Sequence, residues 1–271
     1  MFTPIGYFAP QGGAAGFDPT LGGTLTVNHW YDLTDSTTMT FSGANVTAIS
    51  DKVGSYNITN AYNSGPTFID AATGTYFNNQ TLYETSTIPT TFGVGDVTYL
   101  TIFTRTGAYG GSIMRVWGLV SPWTSPYSRQ DFQPAVIADF NVWSSRTVQS
   151  DSGQGGSDYI RMHDWDSVPD DYASGYYNVV TTNEVFFAGK STWSGTTNAF
   201  NTSINGSTFG NQQTDNATVQ TSTSYLELGA RGSDNGLHQN RFLGYIKHCI
   251  VYNGALTDQN IADVYTAWTS L

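Results

Sequence analysis

Short runs in which apolar and polar residues alternate, interrupted by glycine and asparagine, are the feature that most constrains the fold of this chain. Successive side chains of a β-strand point to opposite faces, so this alternation predicts strands. Leu25, Val27, His29 and Tyr31 are predicted to share one strand face. Val97 to Phe103 carries apolar residues on both faces, which is typical of a central strand in a sandwich. Further strands are predicted over 113–117, 135–142, 184–188, 200–204, 225–230 and 242–252.

Two local signals add a hairpin and a helix to these strands. Asn205-Gly206, the dipeptide favoured in two-residue hairpin turns, follows 200–204 and precedes Thr208 and Phe209. A helix is predicted from Asp258 to about Trp268, with Thr257 as its N-cap. Its apolar stripe would consist of Ile261, Val264, Tyr265 and Trp268.

The composition agrees with an all-β fold. Only 11% of the 271 residues are charged, against a usual share of about 25%, and 14% are aromatic. We therefore expect a two-sheet antiparallel jelly-roll sandwich with a short C-terminal helix. The net charge of −11, with ten scattered cations, argues against nucleic acid and against an anionic membrane as partners.

Residues 1–22 differ from the rest because they contain Pro4, Pro10 and Pro19, several glycines and no alternation. We interpret them as an extended N-terminal arm, followed by a single domain over 23–271; a frayed terminus is the alternative. The arm carries apolar side chains that are costly to leave in water and that we expect to dock on a neighbouring particle surface. These are Phe2, Ile5, Tyr7, Phe8 and Phe17.

The C-terminal third carries a family resemblance. Residues 226–231 read LELGAR, 242–246 read FLGYI and 250–258 read IVYNGALTD. These motifs resemble the last strands, turn and short helix of laminin-G-like and concanavalin-A-like domains. DKVG at 51–54 and the hairpin at 200–209 resemble earlier elements of the same family. The resemblance spans about 24–269 and implies the sandwich fold more than any one function.

The first ten residues resemble the start of structural proteins of tailed phages. No signal-peptide pattern precedes the domain, and Cys249, the single cysteine, allows no intrachain disulfide. We therefore expect a non-enzymatic virion structural protein, made in the host cytoplasm and exposed on the particle exterior. A bacteriophage capsid decoration or head-fibre protein fits best, with other capsid or tail proteins as partners and a homo-oligomer as a further expectation. The alternative is a carbohydrate-binding adhesin or a tail-associated host-recognition module.

The sequence predicts no catalytic residues. Glycoside hydrolysis needs two carboxylates about 5 to 9.5 Å apart, and neither Glu184 nor Glu227 has a second acid two or four residues away. The four histidines show no metal-ligand spacing, and no Ser, His and Asp set is apparent. We expect His29 and His248 to be packing or surface residues and Cys249 to be a small buried side chain.

Two kinds of binding site remain open. Exposed aromatic rings could stack on sugar, unless they fill the core or subunit contacts instead. The candidate glycan-binding residues are Trp117, Trp123, Tyr127, Trp165, Tyr172 and Tyr176. Calcium is the one cofactor considered, and it could bind an acidic loop. The alternative is that this loop is solvated and binds no metal. Its candidate ligands are Asp164, Asp166, Asp170 and Asp171.

Overall fold

A computed structural model describes the chain from residue 16 onward, with gaps. The described residues are 16–78, 80–84, 86, 89–92, 96–106, 114–120, 139–143, 159–163, 184–194, 197–215, 225–229 and 242–271. Within them, no helix has both the length and the apolar character needed to cross a bilayer.

Ten strands form one large antiparallel sheet. Its strands are β1 (Val27–Asp32), β2 (Met39–Ser42), β3 (Asn45–Ile49), β5 (Thr67–Asp70), β6 (Gly74–Asn78), β8 (Val97–Arg105), β13 (Glu184–Ser194), β14 (Thr197–Ile204), β15 (Gly210–Asp215) and β17 (Leu243–Asn253). Their order is β15-β14-β13-β8-β17-β6-β5-β3-β2, and β1 also pairs with β17. The long strand β17 therefore lies at the centre, with β8 along one side and β6 followed by β1 along the other.

Two smaller sheets account for the remaining strands of the described residues. A four-stranded sheet, in the order β10-β16-β7-β4, contains β4 (Asn60–Tyr62), β7 (Thr81–Glu84), β10 (Trp117–Val120) and β16 (Tyr225–Leu228). A three-stranded sheet, in the order β12-β11-β9, contains β9 (Met114–Arg115), β11 (Asp139–Trp143) and β12 (Tyr159–His163). The one α-helix in the described residues is α1 (Asp258–Thr269), and 3-10 turns lie at Ser36–Thr38 and Thr90–Phe92.

The large sheet has a hydrophobic cluster on each of its faces. On one face Phe103, Phe187 and Val251 pack with Leu82 and Leu226 of the four-stranded sheet, which makes the sandwich. The other face is covered by α1 and by the segment that precedes β1, through a second cluster that includes Phe17, Leu25, Leu100, Ile250, Ile261 and Val264. The predicted all-β sandwich with a C-terminal helix is confirmed, and β8 is buried on both faces as expected.

One face assignment is wrong because β1 contains a bulge. Its register to β17 shifts between Val27 and His29, so Asn28 is an extra residue. An inserted residue reverses which face the following side chains occupy. Leu25 and Val27 consequently belong to the helix-side cluster, whereas Tyr31 belongs to the core between the sheets.

A second difference concerns the predicted strand over 113–117. The structure divides it at Val116, whose side chain is fully buried in the core between the sheets. Met114 and Arg115 pair within the three-stranded sheet, whereas Trp117 begins a strand of the four-stranded sheet. The chain therefore changes sheets at this residue, where the carbonyl of Val116 accepts a hydrogen bond from Gly229.

The predicted turn and helix are both confirmed. Asn205 and Gly206 have φ values of 49° and 71°, and the backbone N–H of Ser207 donates to Ile204 across the turn. Thr257 caps α1 by accepting from the backbone of Asn260, whose side chain accepts from the Thr257 backbone in return. This reciprocal pair satisfies two N–H groups that the helix itself leaves unbonded.

The segment before β1 packs on the helix side of the large sheet. Phe17, which we assigned to the arm, is only 7% exposed and contacts the rings of Trp30, His248 and Trp268. The hydroxyl of Tyr252 donates to the carbonyl of Pro19. The other proposed docking residues, Phe2, Ile5, Tyr7 and Phe8, lie outside the described residues.

Candidate functional site

Most of the residues proposed for glycan and calcium binding lie outside the described residues. This applies to Trp123, Tyr127, Trp165, Tyr172 and Tyr176, and to Asp164, Asp166, Asp170 and Asp171. Trp117 is placed by its backbone alone, in β10 opposite the core residue Leu228. Within the described part of the chain, no group of three or more His, Cys, Asp or Glu residues is arranged to hold a metal ion.

The three glutamates are separated by the fold. Glu184 pairs with Lys247 at 2.5 Å and accepts from the Trp268 indole at 2.9 Å. Glu84 accepts from the hydroxyl and the backbone of Thr59. Glu84 lies opposite Leu226 in the register, so Glu227 occupies the other face of the same sheet. These acids are therefore not gathered into the facing pair that glycoside hydrolysis requires.

A chain of three polar side chains joins β1 to two distant loops. His29 Nδ1 lies 2.6 Å from Asp51 Oδ2, and His29 Nε2 lies 2.7 Å from Thr91 Oγ1. The bulge in β1 turns His29 toward the inner face of the large sheet, where Thr91 lies in the 3-10 turn before β8. His29 is 4% exposed and Asp51 is 8% exposed, whereas Thr91 is exposed to solvent.

The two oxygens of Asp51 have separate tasks. Oδ1 accepts backbone N–H bonds from Trp30, Val53 and Gly54, while Oδ2 faces His29 alone. Although burial opposes its ionisation, the hydrogen bonds from His29, Trp30 and Gly54 hold the pKa of the Asp51 carboxyl below its usual value. An ionised carboxylate can only accept, so His29 Nδ1 donates to Asp51, and in the neutral tautomer that this bond selects, Nε2 accepts from Thr91.

Packing fixes the ring of His29 in this orientation. The ring of Phe92 stacks on it with centroids 3.9 Å apart and an interplanar angle of 13°. A Cβ at Gly54 would lie 2.4 Å from Asp51 Oδ2 and 2.8 Å from His29 Nδ1, so this position accepts only glycine. The amide of Asn28 donates to the carbonyl of Thr91 at 3.1 Å and holds the turn against β1.

A second polar cluster lies on the helix side, directly behind the first. Lys52 bridges Asp32 at 2.9 Å and Asp35 at 3.0 Å, and its ammonium lies 4.4 Å from the ring centre of Trp30. His248 is fully buried beside them, and its Nδ1 accepts from the Trp30 indole at 3.3 Å. Since Asp51 and Lys52 are neighbours in one loop, that loop organises both faces of β1.

Part of this region is predictable from the sequence. His29 and His248, expected to be packing or surface residues, are both buried, and Cys249 is fully buried as expected. The expectation that no Ser, His and Asp set exists did not consider threonine, and the hydrogen bonds of His29 to Asp51 and Thr91 were not predicted. Thr91 and Asp51 lie 62 and 22 residues from His29, so no local spacing reveals them. The one local hint is Gly54, in the DKVG motif.

Comparison with solved structures shows the fold. Domain 4 of AbnA, a GH43 extracellular arabinanase from Geobacillus stearothermophilus, solved in complex with arabinotriose, superposes with a TM-score of 0.51 at 14% identity. The match covers 89% of this chain and 98% of that domain. A GH54 α-L-arabinofuranosidase superposes with a TM-score of 0.56 at 12% identity, over 93% of this chain and 64% of the enzyme.

These similarities establish a β-sandwich fold, which this chain shares with the arabinanase domain and the arabinofuranosidase. No protein-family model matches the chain. No curated protein matches it either. At identities of 12 to 14%, the shared property is the sandwich itself.

Proposed function

We propose that this chain is a carbohydrate-binding β-sandwich domain. The observation that carries the proposal is the superposition with domain 4 of AbnA, because that match extends over nearly the whole of both chains. That domain was solved with arabinotriose, which makes an oligosaccharide the first ligand class to test. The composition supports the same proposal, since 14% of the residues are aromatic and aromatic rings stack on the apolar faces of sugars.

Binding without glycoside cleavage is favoured by the contacts of two glutamates. Glu184 is held by Lys247 and Trp268, and Glu84 is held by Thr59. A carboxylate that forms such contacts stabilises the fold and is poorly placed to donate a proton to a glycosidic oxygen. The net charge of −11 further favours a neutral glycan over a polyanionic one.

A glycan array, read with and without calcium, tests this proposal. We expect the wild-type protein to bind a set of neutral glycans, and we expect Trp123→Ala or Trp165→Ala to weaken binding at least tenfold. Phe41→Ala is the matched control, because Phe41 is a 39% exposed aromatic that is not among the candidate glycan-binding residues. Absence of wild-type binding under both conditions would refute the proposal. An equal loss of glycan binding in all three variants would show that Trp123 and Trp165 are not part of the binding site.

A role as a virion structural protein is the second candidate. It is favoured by the ring contacts of Phe17 with Trp30 and Trp268, which hold the chain at residue 17 on the helix side of the large sheet. The apolar residues Phe2, Ile5, Tyr7 and Phe8 would then reach a neighbouring protein from one defined place. Capsid decoration and glycan binding are compatible, because a particle-bound sandwich can also hold a host glycan.

Quantitative mass spectrometry of purified virus particles tests this second candidate. We expect the chain in a fixed ratio to the major capsid or tail protein. Removal of residues 1–15 should release it from the particles without unfolding the domain. Its absence from particles, or retention of the shortened chain at full ratio, would count against arm-mediated docking.

A further inference from the structure

We propose that Thr91, His29 and Asp51 form a nucleophile, a base and a positioning carboxylate that hydrolyse O-acyl esters. This activity goes beyond glycan binding and does not depend on it. The proposal stands on the two contacts at His29, 2.7 Å to Thr91 and 2.6 Å to Asp51. A hydroxyl is activated as a nucleophile when it lies within hydrogen-bond reach of a base and when a third group orients that base.

The direction of each hydrogen bond fits this chemistry. Ionised Asp51 places the proton of His29 on Nδ1, which leaves the Nε2 lone pair directed at the Thr91 hydroxyl. The stacked ring of Phe92 and the glycine at position 54 keep the imidazole in that position. His29 can therefore take the hydroxyl proton without first reorienting.

Exposure increases along the chain of residues toward the proposed nucleophile. Asp51 and His29 are buried, while Thr91, the last of the three hydrogen-bonded side chains, is exposed to solvent. A purely structural network would be equally well served by a buried hydroxyl. Here Thr91, which must contact a substrate, is accessible to solvent, whereas His29 and Asp51, whose hydrogen bond must be shielded from water, are buried.

The reaction would proceed in two balanced steps. Thr91 Oγ1 bonds to the acyl carbon while its proton passes to His29 Nε2, and the alcohol leaves with that proton. Water then attacks the acyl-threonine ester and gives its proton to His29. The carboxylic acid is released, and the proton returns to Thr91 Oγ1.

Asp51→Asn offers a sharp variant because the two carboxylate oxygens have separate tasks. The asparagine oxygen can replace Oδ1 and accept from Trp30, Val53 and Gly54. Its amide nitrogen then faces His29 Nδ1 and donates to it, which moves the ring proton to Nε2. The variant therefore keeps the backbone hydrogen bonds of the loop at residue 51, but His29 Nε2 can no longer accept the Thr91 proton.

Hydrolysis of 4-nitrophenyl acetate and labelling by a fluorophosphonate probe test the proposal. We expect a probe adduct on Thr91, located by peptide mass spectrometry. Asp51→Asn should lower ester hydrolysis about 100-fold, the lower end of the contribution of a positioned base. Thr91→Val removes the nucleophile and should lower it at least as much. Thr91→Ser should retain activity. Nitrogen-15 NMR of the His29 ring should show the change of tautomer in Asp51→Asn.

The measurement that can overturn the proposal is made on the wild-type protein, so it does not depend on whether a variant folds. Wild-type protein with no adduct on Thr91, and with ester hydrolysis no faster than free imidazole at equal concentration, would reduce the three residues to a packing network. Hydrolysis that persists unchanged in Thr91→Val, with an unchanged melting temperature, would assign the activity to another residue.

Discussion

Acidification between pH 6.5 and 4 should destabilise the domain through His248. This side chain is fully buried beside Phe17, Trp30 and Trp268, and its Nδ1 accepts from the Trp30 indole. Burial lowers its pKa from 6.5 to about 4. Asp32, 3.3 Å away, opposes that shift, whereas the positive charges of Lys52 and Lys247 add to it.

The size and sign of the effect follow from this pKa. Above pH 6.5 the ring is neutral in both the folded and the unfolded chain, so it contributes no pH dependence. Between pH 6.5 and 4 the unfolded chain binds a proton that the folded chain excludes, and stability falls as the pH falls. At 1.36 kcal/mol per pKa unit, the loss reaches about 3 kcal/mol by pH 4.

Asp35 and Asp51 are expected to act mainly outside this window. The pKa values of Asp35 and Asp51 lie below the usual 3.8, despite partial burial, because of hydrogen bonds from Thr37 and Lys52 in one case and from His29 and Trp30 in the other. Stability from these carboxylates is present above pH 3.8 and is lost below it.

Urea unfolding at pH 7, 6, 5 and 4, monitored by tryptophan fluorescence, measures this loss. His248→Gln is the matched variant, because its amide oxygen can still accept from Trp30 but does not titrate. We expect the variant to lose about 3 kcal/mol less than the wild type between pH 7 and pH 4. Identical pH profiles for the two proteins would refute the assignment to His248.

Three further predictions concern single positions. Gly65→Ala should lower the free energy of unfolding in urea by about 3 kcal/mol or more, because the new Cβ would lie 1.9 Å from the Val46 carbonyl oxygen. Gly43→Ala, at a similar φ in open space, should lower it by about 1 kcal/mol. Thr257→Ala should cost about 1 kcal/mol in the same assay through loss of the helix cap. Burial raises the pKa of Cys249 to about 12, so a thiol reagent should modify it only after denaturation; rapid reaction of the native protein would contradict the core packing.

The parts of the fold that sequence reasoning predicted depend on local chemistry. The helix α1 is specified by its cap at Thr257 and by an apolar stripe within four turns of chain. The Asn205-Gly206 turn needs two residues that tolerate positive φ, and both are adjacent. The central strand β8 is apolar enough to be recognised without knowledge of its neighbours.

The parts that it missed depend on contacts between distant residues. The extra residue in β1 is visible only in its pairing with β17, and the change of sheet at Val116 only in its pairing with two other strands. The candidate site has the same origin. His29 meets Asp51 and Thr91 only because the bulge turns it inward, and no spacing in the sequence encodes that turn.

Isothermal titration of the wild-type domain with arabinotriose, and with the neutral glycan bound most strongly on the array, tests the central claim most directly. Carbohydrate binding predicts a saturable heat for at least one of these ligands and its loss in the variant Trp123→Ala or Trp165→Ala that weakens array binding. The absence of saturable heat with every neutral glycan, in the presence and absence of calcium, would contradict the claim.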